Sequence, residues 1–415
     1  MVMVKPFKGV RYNLEKTLLK QVIAPPYDVI SPEQKEVLKL RSPYNVVNLI
    51  LPDGENKYEE AAKKYEMWKK EKILIKDPEP VFYLYEQEYE YEGKKYVRTG
   101  FIGLLKLEEY DKGNVFPHEK TLSGPKMDRF NLMKAAKANF SQIFGLYIDR
   151  DNFLEKIFSS IKKEMPVASA VNDEKVKNSL WLISDEEMKK SIEQFMKDKK
   201  IYIADGHHRY ETALKYRDYM RELNGDSPED IKPYDFVMMM FVNFYDEGLK
   251  VFPTHRVVEF NDKIDDFFEK LKRSYKVEKV DDFKVAEKKQ KESDVPSFIV
   301  YYNGKFAFIS ILEEEYEKLH PIYRKVDTFV LEETVLKPIL GFTDEKLLKK
   351  EGIYFVQNME QIKKLEKEKD VLAFIVKGVD IEVVKEIAEN GLVMPQKSTY
   401  FYPKLDSGLV FNDLS

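Results

Sequence analysis

The chain contains no cysteine and only five histidines in 415 residues. Without cysteine the protein can form neither disulfides nor a thiol nucleophile, and it lacks the usual ligands of a structural zinc ion. No run of 18 apolar residues occurs, and charged residues interrupt the first 18 positions. We therefore expect neither a membrane span nor a secretory signal, and a cytoplasmic location.

A charge excess of one sign is also missing. Lys and Arg total 69 against 73 Asp and Glu, which gives a net charge of −4. A general nucleic-acid or membrane-surface binder normally carries a basic excess. The composition thus predicts a small-molecule partner, with no nucleic acid and no membrane, and it leaves homo-oligomerisation open.

The order of elements predicts an α/β (α+β) fold, with mixed sheets and flanking helices. Residues 81–89 and 94–101 alternate aromatic and polar side chains around a Glu-Gly turn, which predicts an antiparallel hairpin. The apolar run 45–51 predicts a buried strand. Further strands are predicted at 179–183, 237–244, 297–302, 305–312 and 371–376, and helices at 58–72, 127–137, 151–162, 185–198, 209–223, 361–370 and 379–389.

Three regions follow from this pattern. Residues 1–195 form an N-terminal α/β region with the hairpin, residues 196–260 form a central core, and residues 261–415 form a C-terminal α/β region that closes the site. One compact unit is the alternative.

The most informative segment is IYIADGHHRYETAL at 201–214. It predicts a strand, a turn at Gly206 and a helix for which Asp205 is the N-cap. His207, His208 and Arg209 then lie in the first helical turn, where backbone N–H groups and the helix dipole favour an anion. An arginine can bind phosphate oxygens with two parallel donors. The segment therefore predicts a phosphate site; the alternative is an ordinary helix start with solvated basic residues.

Other chemistries fit this segment less well. The glycine and lysine spacing of a Walker loop is missing, as is a GxGxxG turn. Adjacent histidines on a helix point about 100° apart and do not readily share one zinc ion. A magnesium ion held by Asp205 or Glu211 together with phosphate oxygens is the more suitable metal.

A second group of acid–base residues lies in PHEKT at 117–121 and KMDR at 126–129. Loops on a rigid scaffold commonly present such groups to a ligand. Glu119, beside His118, is the candidate general base toward a hydroxyl or water. Lys126 and Arg129 are candidates for binding phosphate. An ordinary charged surface turn is the alternative.

The third group combines PTHR at 253–256 with MPQKSTYFYPK at 394–404. His255 and Arg256 repeat the pairing of histidine with arginine and are further candidates for binding phosphate or a nucleotide. Lys397 and Ser398 could hold a phosphate, or this segment could instead pack its aromatic residues into the core. We expect one shared pocket for His118, His208, His255 and Lys397.

These motifs together resemble a known family. APPYDVIS at 24–31, PHEKT, KMDR, IADGHHRYETAL, PTHR and MPQKSTYFYPKL at 394–405 are similar to the Domain of Unknown Function 1015 family. The resemblance runs over essentially the whole chain. It implies membership rather than an activity.

The DGHHR turn also resembles that of the ParB/sulfiredoxin superfamily, especially its free serine kinases. In that superfamily the turn and helix N-terminus bind nucleotide phosphates, and the kinases phosphorylate free serine with a glutamate as base. The resemblance implies a ParB/sulfiredoxin-like element around residues 195–260. It assigns phosphate handling to Asp205, Gly206, His207, His208 and Arg209, whereas Glu119, as the base, lies outside the matching motif.

The expected function is phosphoryl transfer on a small hydroxylated metabolite or its phosphate ester, by a phosphotransferase or phosphohydrolase. Serine or O-phosphoserine is the leading substrate, and ATP, ADP or pyrophosphate and Mg²⁺ are the cofactors considered. His118 and His208 are further acid–base candidates. The alternatives are a ParB-like nucleotide-binding regulator without phosphoryl transfer, and a non-catalytic binding protein.

Overall fold

The computed structural model of the chain describes residues 1–119, 121 and 123–415, apart from the side chains of Ser123 and Pro125. Lys120 of the PHEKT segment lies outside the described residues. The chain divides into two compact units. Unit 1 comprises Met1–Pro117, Thr121–Lys250 and Pro403–Ser415, and unit 2 comprises His118–Lys120 and Val251–Tyr402. The boundaries expected after residues 195 and 260 stay predictions.

The secondary-structure elements are numbered in chain order. The strands are β1 (Val4–Lys5), β2 (Val10–Tyr12), β3 (Leu74–Lys76), β4 (Phe82–Tyr91), β5 (Lys94–Lys106), β6 (Val115–Phe116), β7 (Ala138–Asn139), β8 (Ile143–Tyr147), β9 (Ala168–Val171), β10 (Lys177–Ile183), β11 (Ile201–Asp205), β12 (Phe236–Asn243), β13 (Lys250–Phe252), β14 (His255–Glu259), β15 (Tyr275–Val280), β16 (Ser297–Tyr302), β17 (Lys305–Ile311), β18 (Ile353–Val356), β19 (Val371–Ile375), β20 (Tyr400–Tyr402) and β21 (Asn412–Asp413). The helices are α1 (Leu19–Val22), α2 (Pro32–Arg41), α3 (Val47–Ile50), α4 (Lys57–Lys70), α5 (Ser123–Ala136), α6 (Phe153–Ile161), α7 (Glu186–Met196), α8 (His207–Asn224), α9 (Ile264–Leu271), α10 (Phe283–Lys291), α11 (Glu313–Tyr316), α12 (Asp327–Leu331), α13 (Asp344–Lys349), α14 (Met359–Glu366) and α15 (Ile381–Glu389). No helix in the described residues is both long and apolar enough to cross a lipid bilayer.

Unit 1 is built on a mixed sheet with the strand order β6-β11-β8-β12-β5-β4-β10-β9, and β1 pairs with β5. The β8–β12 and β6–β11 pairs are parallel, and β5 pairs antiparallel with both β4 and β12. Side chains from the sheet and from α6, α7 and α8 share one buried core. The mixed-sheet α/β architecture expected from the sequence is therefore confirmed.

The predicted hairpin is also confirmed, as β4 and β5. The strands meet at the Tyr91–Lys94 pair, and Glu92 and Gly93 in the turn both have positive φ, of 50° and 74°. Positive φ at both central residues is the twist that two-residue hairpin turns prefer. The alternating pattern and the glycine thus carried enough local information to specify the hairpin.

The strand expected at residues 45–51 is wrong, because this run contains the short helix α3. The Asn45 side chain accepts a hydrogen bond from the N–H of Val47 at 3.0 Å and donates to the carbonyl of Gln21 at 2.8 Å. These bonds favour a helical turn over extension. Periodicity alone does not distinguish a short buried strand from a short buried helix.

The C-terminal segment, residues 403–415, is part of unit 1. Ala24 bridges to Ser407, Val10 bridges to Phe411, and β21 pairs with β7. Asp406 is buried in this segment and accepts hydrogen bonds from Asn172 at 2.9 Å and Asn178 at 2.8 Å. Unit 1 therefore depends on residues from both ends of the chain.

Unit 2 contains an antiparallel sheet with the strand order β15-β17-β16-β19-β14-β18. One hydrophobic cluster includes α9 and α12, and another includes residues of α10 and α14. Residues Glu332–Leu336 form a π-helical segment directly after α12. The predicted pairing of 297–302 with 305–312 is confirmed by β16 and β17.

Asp406 should make the stability of the protein depend on pH. Burial raises the pKa of its carboxyl group to about 7, from an ordinary value of 3.8, although hydrogen bonds from Asn172 and Asn178 oppose this shift. Between about pH 4 and 7 the folded protein keeps a proton that the unfolded chain releases, so stability should fall as pH rises through this window. We expect the free energy of unfolding of Asp406→Asn to decrease by about 2–4 kcal/mol less than that of the wild type between pH 4 and 7, as measured by urea unfolding.

Asp413 is the matched control, since it lies in the same segment. Burial raises the pKa of Asp413, but hydrogen bonds from Ser415 and Lys69 outweigh this and lower it overall. Its contribution is present above its ordinary pKa and is lost only in more acidic solution. Asp413→Asn should therefore leave the decline between pH 4 and 7 intact, and an equal flattening by both variants would contradict the assignment.

Candidate phosphate site

The turn between β11 and α8 requires glycine. Gly206 has φ of 95°, and a Cβ there would lie 2.9–3.0 Å from the guanidinium atoms of Arg209. Any other residue would be strained at this position, because of the left-handed backbone and because its Cβ would contact the Arg209 side chain. The predicted strand, glycine turn and helix are present as β11, Gly206 and α8.

The N-cap prediction is wrong, because Gly206 occupies the N-cap position and Asp205 is the last residue of β11. The Asp205 carboxylate instead accepts from Arg209 Nη2 at 3.0 Å and from Lys404 Nζ at 3.3 Å. Arg209 also donates to the carbonyl of Gln142. Asp205 therefore orients Arg209 and does not occupy the N-cap position.

Arg129, on α5, stacks on a tyrosine of the APPYDVIS motif. Its guanidinium carbon lies 4.2 Å from the ring centre of Tyr27, and its Nη1 donates to the carbonyl of Ile50 at 2.6 Å. Burial and Asp28 raise the pKa of Tyr27, whereas Arg129 and Arg209 oppose that shift. Residues of the APPYDVIS, KMDR and DGHHR motifs thus act on one another electrostatically within unit 1.

Asp128 holds Arg129 in this position. Its Oδ2 accepts from Arg129 Nε at 3.0 Å, and its Oδ1 accepts from Lys57 Nζ at 2.9 Å and Tyr58 at 2.7 Å. Burial raises the pKa of Asp128, but Arg129, Lys57 and Tyr58 outweigh it and lower the pKa to about 2. The carboxylate is therefore ionised at neutral pH and fixes the guanidinium.

Arg129 and Arg209 line the same cavity. This cavity has a volume of about 50 Å³, several times the space that one water needs but far below an ordinary small-molecule pocket. Its other polar lining residues are Tyr27, Asn139, Ser141 and Thr212, and the remaining lining is apolar: Ile50, Leu132, Met133, Ala138, Phe140 and Val237. Its size and its cationic and hydroxyl groups suit an anion of about the size of one phosphate.

Lys126 and Glu211 form an ion pair between α5 and α8. Lys126 Nζ and Thr121 Oγ1 donate to Glu211 Oε2 at 2.8 Å and 2.6 Å. Within residues 1–119, 121 and 123–415, no group of three His, Asp or Glu side chains is placed to hold a metal ion. The magnesium ion expected at Asp205 or Glu211 stays a prediction.

The two histidines of the DGHHR motif differ in exposure. His207 is buried and His208 is half-buried, and both belong to the first turn of α8. This placement agrees with the expected position of both residues at a helix N-terminus. Their roles toward phosphate stay predictions.

The remaining predicted site residues belong to unit 2. His118 is 1% exposed; its Nε2 lies 3.1 Å from Thr399 Oγ1, and its carbonyl accepts from the N–H of Met394 at 2.8 Å. Glu119 pairs with Met394 in a parallel bridge. The PHEKT and MPQKSTYFYPK segments are therefore joined through main-chain hydrogen bonding.

His255 and Arg256 lie at the start of β14 and are buried. The Nδ1 of His255 accepts from the N–H of Val376 at 3.4 Å. Burial, and then the neighbouring Arg256, lower the pKa of His255 to about 4. His255 is therefore neutral at pH 7, which suits a structural hydrogen-bond acceptor.

Lys397 and Ser398 lie in the same part of unit 2 as Arg256. Lys397 has φ of 56°, and its carbonyl accepts from Arg256 at 3.1 Å. Ser398 is buried, with its hydroxyl 2.6 Å from that of Thr328 and 2.7 Å from the carbonyl of Pro395. Unit 2 thus brings His118, Glu119, His255, Arg256, Lys397 and Ser398 together, while His208 belongs to unit 1, so the shared pocket stays a prediction.

Two residues of unit 1 were missed as site candidates. Tyr27 carries no charge, and the two prolines before it indicated only an extended segment. Lys404 lies about 200 positions from Asp205, and no local pattern connects them. The signal that could have found both is their presence in the APPYDVIS and MPQKSTYFYPKL motifs.

The comparison with family models identifies the family of the chain. Residues 4–329 match the model described as a protein of unknown function, DUF1015. The chain belongs to the DUF1015 family. Family membership is thereby confirmed; five of the six motifs lie within the matched residues, and MPQKSTYFYPKL at 394–405 lies beyond them. No curated protein matches the sequence.

Solved structures similar to this DUF1015 protein have low identity. They include a conserved hypothetical protein from Pyrococcus furiosus, with 18% identity and a TM-score of 0.36, covering 73% of this chain and 94% of the other. A free serine kinase variant in complex with AMP has 14% identity and a TM-score of 0.36, covering 73% and 91%. SbnI from Staphylococcus aureus, truncated at its C-terminus, has 10% identity and a TM-score of 0.35, covering 73% and 84%.

Gly206→Ala should destabilise the DUF1015 protein and displace Arg209. We expect a loss of about 1–3 kcal/mol from the left-handed backbone, with a further cost from the contact with the guanidinium. We expect inorganic phosphate to stabilise the wild type but not this variant, since Arg209 lines the candidate phosphate cavity. Urea unfolding with and without phosphate measures both effects.

Gly225, at the other end of α8, provides the control. It also has positive φ, of 67°, but a Cβ there would meet nothing within 4 Å. Gly225→Ala should cost only the backbone strain and keep the effect of phosphate. Equal losses of stability and of phosphate binding in the two variants would count against a cavity that depends on Arg209.

Proposed function

We propose that the protein transfers a phosphoryl group to or from a small hydroxylated metabolite, with serine or O-phosphoserine as the leading substrate. The observation that carries this proposal is the cavity of about 50 Å³ lined by Arg129 and Arg209. Phosphoryl transfer needs clustered positive charge against the phosphate oxygens, and little covalent participation from the protein. The two guanidiniums supply that charge, which Asp128 and Asp205 offset in part.

The fixed orientation of both arginines supports this role. Arg129 is held by Asp128, Ile50 and Tyr27, and Arg209 is held by Asp205 and Gln142. Preorganised donors stabilise developing charge without reorganisation during the reaction. A guanidinium has five donors, so each arginine retains N–H groups for a phosphate oxygen.

We propose Glu119 as the general base. His118, the residue before it, is proposed to take part in the same acid–base chemistry. Toward a hydroxyl, the phosphoryl donor is proposed to be ATP, ADP or pyrophosphate, with Mg²⁺, which leaves ADP, AMP or phosphate; in the phosphohydrolase direction water accepts the phosphoryl group of the ester. Among the similar solved structures, free serine kinases form complexes with AMP and ADP. A cavity of the size of one phosphate would hold the transferred group rather than a whole nucleotide.

Arg209→Lys should lower turnover by roughly 10²–10³-fold, because an ammonium replaces a fixed pair of donors with a point charge. The measurement is steady-state phosphoryl transfer between serine and ATP, ADP or pyrophosphate, together with phosphate release from O-phosphoserine. Melting curves should show only a modest loss of stability.

Arg217 is the matched control for this experiment. It lies on the same helix, its side chain is 12% exposed as is that of Arg209, and it also binds a carboxylate and a main-chain carbonyl. Arg217→Lys should keep near-normal turnover at a similar cost in stability. If both variants have normal turnover, Arg209 does not act on the phosphoryl group.

Glu119→Gln should reduce turnover by roughly 10²–10⁴-fold and remove the acidic limb of the pH–rate profile, because an amide cannot accept the hydroxyl proton. The KM for the hydroxylated substrate should change little. Glu314→Gln, at an exposed carboxylate of the same unit, is the control and should behave as wild type. An unchanged pH profile in Glu119→Gln would assign the base to another residue.

A further inference from the structure

Unit 2 contains a cavity that the proposed phosphoryl chemistry does not use. Its volume is about 500 Å³, within the range of small-molecule pockets. It is lined by residues of α12, α13, β14, β18 and the π-helical segment, by Tyr323 and Lys337, and by residues 393–396. Among the described residues of this lining, only Arg256 was a predicted site residue.

Arg256 presents an unpaired cation to this cavity. Its side chain is 2% exposed, and its Nη atoms donate to the main-chain carbonyls of Thr254, Gln396 and Lys397, the last two at 2.9 and 3.1 Å. Within the described part of the chain no carboxylate forms an ion pair with it, and burial lowers its pKa to about 10 although Glu332 and Glu119 oppose this. A buried charge without a counter-ion is costly, so a bound anion would compensate it.

Carboxylates line another part of the same cavity. Glu332, Glu333, Asp344 and Glu345 contribute four negative charges, against two positive charges from Arg256 and Lys337. Lys337 already pairs with Glu332, Glu333 and Asp344, at 3.3, 2.5 and 2.7 Å, and Lys349, which is outside the lining, pairs with Glu345 at 2.6 Å. The four carboxylates thus face three cations, Arg256 included. The surplus of negative charge suits a ligand ammonium group, whereas Arg256 suits a ligand carboxylate.

The rest of the lining is apolar. Phe329, Leu336, Ile353, Phe355 and Val393 border the cavity, and the guanidinium of Arg256 lies 5.2 Å from the ring centre of Phe355. Such a surface contributes affinity by burying an apolar side chain. Glu332 lies at the start of the π-helical segment, a distortion that is frequent at functional sites.

We propose that this cavity binds an α-amino acid with a large apolar side chain, whose carboxylate contacts Arg256, whose ammonium contacts Glu332 and whose side chain packs against Phe329 and Phe355. The site lies wholly within unit 2 and goes beyond the proposed phosphoryl transfer. It requires no reaction at the cavity. Its binding can therefore be tested in the absence of any phosphoryl donor.

The first test compares three ligands by isothermal titration calorimetry on the full chain. L-Leucine carries all three groups, 4-methylpentanoate lacks the ammonium and 3-methylbutylamine lacks the carboxylate. We expect leucine to bind about 10- to 100-fold more tightly than either analogue, as charge-assisted hydrogen bonds of this kind allow. Equal binding of leucine and 4-methylpentanoate, tighter binding of inorganic phosphate, or no binding of leucine would overturn the proposal.

Two variants then assign the groups. Arg256→Lys should weaken leucine and 4-methylpentanoate alike, by about tenfold or more, whereas Glu332→Gln should weaken leucine and leave 4-methylpentanoate unchanged. Since Arg256 is buried, melting curves accompany each titration, and the ligand-selective effect of Glu332→Gln tests the site even if Arg256→Lys fails to fold. Glu332→Gln without that selectivity would overturn the proposed ammonium contact.

Arg324 is the control arginine in the same unit. It also donates to main-chain carbonyls, those of Leu319 at 2.8 Å and Glu317 at 2.5 Å, and stacks on Tyr316, but it does not line the cavity. Arg324→Lys should leave leucine affinity unchanged. An equal loss in Arg324→Lys and Arg256→Lys would show a general effect on unit 2 and overturn the assignment of Arg256.

Discussion

Unit 1 depends on residues 403–415, which follow unit 2 in the chain but pack within unit 1. Lys404 reaches the Asp205 carboxylate, Asp406 occupies a buried polar position, and Phe411 bridges to Val10. A buried carboxyl group is tolerated only when hydrogen bonds satisfy it, and Asn172 and Asn178 do so here. Residues 403–415 thereby help to form the core and the candidate phosphate site of this unit.

Main-chain carbonyls hold arginines in both units. Arg209 binds the carbonyl of Gln142, Arg129 binds that of Ile50, and Arg256 binds those of Thr254, Gln396 and Lys397. A carbonyl fixes a planar guanidinium without cancelling its full charge, unlike a carboxylate. Arg129 and Arg209 add one carboxylate each, whereas Arg256 has none among the described residues. The arginines of the two cavities therefore differ in how far their charge is neutralised. Of the three, Arg256 would be stabilised most by a bound anion.

Local patterns predicted much of the fold correctly. The hairpin of β4 and β5 follows from alternation and a Glu-Gly turn, and α8 follows from helical spacing after Gly206. The same reasoning failed at residues 45–51, where hydrogen bonds of Asn45 to a distant carbonyl decide between helix and strand. It also failed for the cap of α8, because Asp205 is engaged by Arg209 and by Lys404, almost two hundred residues away.

The sequence by itself determined the family, the mixed α/β class and the individual motifs, because these depend on residue order, periodicity and local turn chemistry. Only the tertiary structure decided which motifs meet. It placed Tyr27, Arg129 and Arg209 around one cavity, and it placed Arg256 with Glu332 at another. Contacts between residues far apart in the chain depend on how sheets and helices pack, and neither spacing nor composition records that geometry.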